Sequence, residues 1–118
     1  ALKKAKSNCK VIAVEPSSSP ILSKGIKGSH NVEGVGLGFV PNIYDDTLVD
    51  NVITIDETIA RKTCKDLAKK EGIFCGTSSG MNVAAAIQIS KELGPKSRVV
   101  TVACDTGLKY LSEGLFDD

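Results

Sequence analysis

Apolar residues along the chain fall into short β-branched runs separated by helix-spaced patterns. Residues 10–14 (KVIAV) form an apolar run suited to a buried strand. Asn51–Ile55 (NVITI) reads as a second strand, and residues 97–103 (SRVVTVA) as a third. Between the second and third lie two helical patterns. In the first, Ile59/Ala60, Thr63/Cys64 and Leu67/Ala68 recur every four residues as one apolar stripe. Thr54 and Glu57 have capping-box spacing at its start, and Gly72 is the expected C-terminal cap. Ser78 or Ser79 can cap the next helix, which runs through Met81, Ala84, Ala85, Ile87 and Ile89 to Leu93, where Gly94-Pro95 stops it. Residues 1–7 read as the tail of a helix, and residues 107–111 as a final short one. Strands alternating with helices predict an α/β fold with a parallel-type sheet and flanking helices.

Two stretches break this rhythm. Residues 15–20 (EPSSSP) are loop chemistry, with two prolines and three serines. From residue 23 to residue 41 the chain is long, irregular and rich in glycine, and such loops usually serve a function or stay disordered.

Composition narrows the function classes. At 118 residues, 42% hydrophobic and 25% charged, the chain suits one globular domain with one core. A formal net charge of +1 gives no strong field, so nucleic acid and anionic lipid are not expected partners. Only 4% of residues are aromatic and none is tryptophan, which leaves little for stacking on bases. No apolar run reaches the roughly 18 residues of a membrane span, and the start has no signal-peptide core. The first residue is Ala1 rather than methionine, which hints at a piece of a longer protein. Cys9, Cys64, Cys75 and Cys104 form no C-x-x-C pair, so buried reduced thiols are expected rather than a zinc or redox site.

Three segments could carry chemistry. Gly76-Thr77-Ser78-Ser79-Gly80 sits between an apolar run and a helix start, where small residues let a ligand approach free N–H groups and the positive dipole end. The same residues also suit a plain N-cap and turn. Gly34-Val35-Gly36-Leu37-Gly38 resembles a dinucleotide fingerprint only poorly, because neither a clear strand precedes it nor a helix follows. A tight loop against a ligand or backbone fits it better. Cys104-Asp105-Thr106-Gly107 follows the third predicted strand, and ligands gather at such strand ends. Asp105 could touch a ligand there or simply cap the last helix. His30 has no nucleophile pattern beside it, so a local loop hydrogen bond is expected. The adjacent pairs Asp45-Asp46 and Asp117-Asp118 lack metal-ligand spacing, and no metal site is expected.

In order, VIAVEP (11–16), GSHNVEGVGLGFVP (28–41), EGIFCGTSSG (71–80) and DTGLKYLS (105–112) resemble the cysteine synthase family. These are the O-acetylserine sulfhydrylases, with cystathionine β-synthases as close relatives. The resemblance spans nearly the whole chain. It implies a tryptophan-synthase-β-like fold of type II and pyridoxal 5′-phosphate as cofactor. Residues 1–118 would be the C-terminal segment of the larger, cofactor-binding domain. Ser78 resembles the serine that hydrogen-bonds the pyridine nitrogen. Gly34 and Gly36 resemble glycines lining the cleft, and Cys104 and Asp105 lie where the last strand nears the ring. The sulfhydrylase pattern often has proline and serine at those two positions, which leaves the subfamily open. The Schiff-base lysine, the substrate loop and the phosphate cradle have no counterpart here, so this chain by itself would hold no catalytic residue and be inactive. The implied reaction is O-acetyl-L-serine plus sulfide giving L-cysteine and acetate. Alternatives are a β-synthase using homocysteine, or a non-catalytic fragment or paralogue acting as a binding module. The resemblance further implies a homodimer, serine acetyltransferase's C-terminal tail as a partner, and a cytoplasmic, plastid or mitochondrial location.

Overall fold

In a computed structural model, which describes residues 1–6 and 8–117, the chain forms the elements α1 (Leu2–Ala5), β1 (Ile12–Pro16), α2 (Ile21–Lys24), β2 (Asn51–Ile55), α3 (Glu57–Asp66) and α4 (Thr77–Leu93). Short 3-10 turns cover Asp46–Leu48 and Gly107–Glu113. Ser7, in the expected helix tail, and Asp118, in the carboxylate pair, lie outside the described residues.

β1 and β2 pair in parallel, with Val14 opposite Ile53 and Pro16 opposite Ile55. The first strand starts and ends two residues later than residues 10–14, because Glu15 and Pro16 continue the ladder that β2 offers. The second has the expected bounds. Residues 97–103 are not a strand. Among the described residues the sheet has two strands, and no third lies beside this segment to accept its backbone hydrogen bonds. Val100 is 84% and Val102 62% exposed.

α3 begins two residues later than the capping-box reading, which would make Thr54 the cap. Asp56 is its cap, accepting the Thr58 N–H at 2.8 Å. Glu57 then falls at the first helical position, where its carboxylate accepts the Asn31 N–H and pairs with Arg61. Of the predicted stripe, Ala60 and Cys64 are buried, Thr63, Leu67 and Ala68 are partly buried, and Ile59 is exposed. A wide π-type turn over Leu67–Glu71 ends at Gly72, whose left-handed backbone (φ 69°) is the expected cap.

The helix pair α3 and α4 packs on the β1–β2 ladder. Val32, Ile53, Ile55, Ala60, Met81, Ala84 and Ala85 make the main core, with Ile12 and Val14 partly buried against it. Ile87 of the expected α4 stripe faces solvent. A second cluster joins Cys64, Cys75, Tyr110 and Leu115, and so fastens the C-terminal segment beneath the start of α4. Phe74 and Phe116 extend it, their ring centroids 4.6 Å apart. Cys64 and Cys75 are the buried free thiols that composition suggested. Cys104 is exposed and Cys9 half-buried, because both lie on segments the core does not cover.

Candidate ligand site at the start of the long helix

α4 begins at Gly76, not at a serine cap: Gly76 is the N-cap with no side-chain hydrogen bond, and Ser78 and Ser79 are already inside the first turn. The two neighbouring serines, about 100° apart around the helix, face different surroundings. Ser79 is fully buried. Its Oγ accepts the Cys104 N–H at 2.8 Å, so its own proton points to Asp105 Oδ1 at 3.0 Å. Ser78 is only 6% exposed, yet among the described residues its hydroxyl makes no hydrogen bond. No wholly enclosed side-chain polar atom there lacks a partner. The Ser78 oxygen therefore reaches the surface, at the positive end of a 17-residue helix.

Asp105 closes the turn. Besides Ser79, its Oδ1 accepts the Gly76 N–H at 3.0 Å, and its Oδ2 accepts the Tyr110 hydroxyl at 2.6 Å. It is not a helix cap; Thr106 caps the final 3-10 turn through the Leu108 N–H. Gly76 is required by this approach, since a Cβ there would stand 2.3 Å from both the Asp105 carboxylate and the Tyr110 ring. Burial, then the hydrogen bond from Tyr110 to Asp105, pushes the phenol's pKa up, so it stays a donor. Cys104 Sγ lies 3.3 Å from the Asn82 amide nitrogen. Cys64 donates to the Gly76 carbonyl at 2.9 Å, and burial pushes its pKa up to about 12.

Gly34 and Gly36 line a separate groove with Val14, Leu22, Leu37 and Phe39. His30 shapes it, as the expected local histidine. The Val32 N–H donates to Nδ1 at 3.2 Å, which leaves the proton on Nε2, 2.8 Å from the Gly36 carbonyl. Gly36 has φ +55°, and a Cβ there would come within 2.4 Å of His30 Nε2. Cys104 and Asp105 thus meet the α4 turn that carries Ser78 through Ser79 and Gly76, whereas the two glycines lie apart, with Glu33, the residue before Gly34, the nearest link. Its carboxylate meets Lys109 Nζ at 3.1 Å and the Tyr110 hydroxyl at 3.4 Å. Sequence reasoning missed Ser79, Tyr110 and Glu15. The last is a buried carboxylate that binds the Leu22 and Ser23 N–H groups at the groove wall.

A nearly buried hydroxyl without a partner at a helix start, together with a glycine-lined groove elsewhere on a parallel α/β frame, is the kind of arrangement in which open α/β folds take small ligands. Residues 1–105 match the family model described as pyridoxal-phosphate dependent enzyme, and the chain belongs to that family. It is 43% identical over 119 residues to a cysteine synthase of Staphylococcus aureus (strain Mu50 / ATCC 700699), covering 99% of this chain and 38% of that protein. It is 44% identical over 106 residues to cysteine synthase B of Campylobacter jejuni, covering 90% and 35%. The crystal structure of cysteine synthase from Entamoeba histolytica superposes with a TM-score of 0.91 at 36% identity, covering 99% of this chain and 35% of that one. The fold is accordingly that of the type II pyridoxal-phosphate enzymes, and this chain spans well under half the length of those relatives. Among the described residues no helix is long and apolar enough to cross a membrane.

Proposed function

We infer that the chain is the C-terminal segment of a cysteine synthase, converting O-acetyl-L-serine and sulfide to L-cysteine and acetate. The observation that carries this reading is the Ser78 hydroxyl, nearly buried, without a partner, and held at the N-terminus of α4. It suits a hydrogen-bond acceptor that carries no full positive charge, as a neutral pyridine nitrogen does. The cysteine synthases of similar sequence support the choice of reaction.

Ser78 would donate to the ring nitrogen of pyridoxal phosphate, with Gly34 and Gly36 lining the approach. When bound, the cofactor supplies an electron sink that lets a β-substituent leave an amino acid and a nucleophile replace it. A carboxylate at Ser78's position would keep the ring nitrogen protonated and strengthen that sink. The neutral hydroxyl does not, and the positive end of α4 disfavours a proton there further. The weaker sink favours β-replacement over transamination or racemisation. The Schiff-base lysine and the phosphate cradle would come from the preceding half of the protein. The segment 97–103 supports that division, since its β-branched run has no strand beside it among the described residues and leaves Val100 and Val102 exposed. A homodimer, a cytoplasmic location and capture of the C-terminal tail of serine acetyltransferase complete the reading.

The test is Ser78→Ala in the full-length protein. Loss of one hydrogen bond to the cofactor, about 1.5 kcal/mol, should weaken its binding roughly tenfold and shift its absorbance band. Sulfide should outcompete homocysteine as second substrate. An unchanged band and affinity would refute the role of Ser78, and preference for homocysteine would refute the assigned reaction.

A further inference from the structure

Asp105 faces three donors at once, and all three belong to the protein. The Gly76 N–H and the Ser79 hydroxyl share Oδ1, and the Tyr110 hydroxyl takes Oδ2. These partners bracket Ser78: Gly76 stands two positions before it and Ser79 one after. One carboxylate therefore fixes the first turn of α4 at two points, and with it the direction in which the Ser78 hydroxyl projects. The Ser79 oxygen accepts the Cys104 N–H, and its proton goes to the carboxylate oxygen in reach. Asp105 is itself located by Tyr110, whose ring packs so close to Gly76 that no Cβ fits between them. Tyr110 is 2% exposed, and its hydroxyl stands 3.4 Å from Glu33, the residue before Gly34. The hydroxyl proton goes to Asp105 at 2.6 Å, so the hydrogen-bonded run is Tyr110 to Asp105 to the start of α4, and Glu33 only lies near its outer end.

We propose that Asp105, held by Tyr110, is a positioning residue that aims the Ser78 hydroxyl at the cofactor's ring nitrogen, and is not itself a cofactor contact. This rests on the reading of Ser78 given above. Its consequence is that Asp105 acts on the cofactor only through Ser78. Removing Ser78 first should make Asp105 silent toward the cofactor, though still felt by the stability of the fold.

The test uses the full-length holoprotein and reads the cofactor's absorbance band and dissociation constant in Ser78→Ala, Asp105→Ala, Asp105→Asn and the double alanine variant. Asp105→Ala is expected to shift the band in the same sense as Ser78→Ala and to weaken binding by roughly fivefold to tenfold, the loss of about one hydrogen bond. Asp105→Asn keeps an oxygen for Gly76 and Ser79 and should recover most of the wild-type band. In the double variant the band and affinity should match those of Ser78→Ala alone. A full further shift there would make Asp105 a direct contact and overturn the proposal. So would a wild-type band in Asp105→Ala when Ser78→Ala has moved it, leaving the role of Ser78 intact. No effect of Ser78→Ala would defeat the underlying reading and this proposal with it. Should Asp105→Ala fail to fold, Tyr110→Phe decides: it removes only the hydroxyl, should move the band partway, and an unmoved band overturns the proposal.

Discussion

Replacing Ser79 by alanine should destabilise the fold by about 2–4 kcal/mol, while the same change at Ser78 should leave stability within about 0.5 kcal/mol. The contrast follows from what each hydroxyl touches. Ser79 Oγ accepts the Cys104 N–H at 2.8 Å and donates to Asp105 Oδ1 at 3.0 Å. A neutral hydrogen bond contributes about 0.5–1.5 kcal/mol and one to a charged group about 1.5–3 kcal/mol. Cys104 is exposed, so water can reach its orphaned N–H and the first contribution falls at the low end. The bond to Asp105 contributes more, because its acceptor is a carboxylate that lies only partly in reach of water. Ser78 has no protein partner to lose among the described residues, and alanine is a good helix former. Urea unfolding of the cofactor-free full-length protein measures both, with a shifted midpoint at unchanged slope as the signature of altered stability. Equal midpoints for the two variants, or a Ser79→Ala midpoint within error of wild type, would refute the assignment of the buried and open serines.

Gly36→Ala should cost about 1–3 kcal/mol, because its Cβ would stand 2.4 Å from His30 Nε2 at a backbone φ of +55°. Urea midpoints would show it, and truncating His30 should recover part of the loss; no recovery would separate the strain from the histidine. Asp50 is held near a pKa of about 2, first by the hydrogen bond from Lys3 and then by the Val11 N–H, against an ordinary 3.8. A lowered carboxylate pKa stabilises the fold fully above pH 3.8 and loses that contribution as pH falls through about 2. An NMR titration of Asp50 should find the low midpoint, and Lys3→Met should raise it toward 3.8; a wild-type midpoint already at 3.8 would remove the ion pair from the folded state. Cys64, with its pKa pushed up to about 12 by burial, should resist alkylation at pH 9 until the protein unfolds, as mass spectrometry of labelled peptides would reveal.

The elements were legible where local chemistry decides them and illegible where a partner does. NVITI is a strand by pattern and a strand in the fold, because β1 lies beside it in register. Residues 97–103 have the same β-branched chemistry but no neighbouring strand among the described residues, so the pattern alone cannot form a ladder. Gly72 and Gly94 end their helices as expected, since a helix stop depends on the residue's own backbone freedom. Caps are a competition instead. Asp56 displaced the Thr54–Glu57 pairing by supplying a carboxylate one residue from the helix, and the Glu57 carboxylate was then free for Asn31, twenty-six positions away.

The site shows the same division more sharply. GTSSG announces small residues at a helix start, and nothing in that string distinguishes its two serines. A rotation of about 100° separates an inward hydroxyl from an outward one, and that rotation is set from outside the string. Asp105 sets it from 26 positions beyond Ser79, and Tyr110 from five positions further on. The aspartate was therefore visible as a residue near the site but not as one whose carboxylate is consumed within the protein. Its three donors make the point physically. A group already accepting from Gly76, Ser79 and Tyr110 gains little from a further ligand, whereas the unpartnered hydroxyl it fixes in place has its whole hydrogen-bonding capacity left for one. Specificity for a neutral ring nitrogen would thus come from where the negative charge is kept: one turn away, and spent on the helix that carries the alcohol.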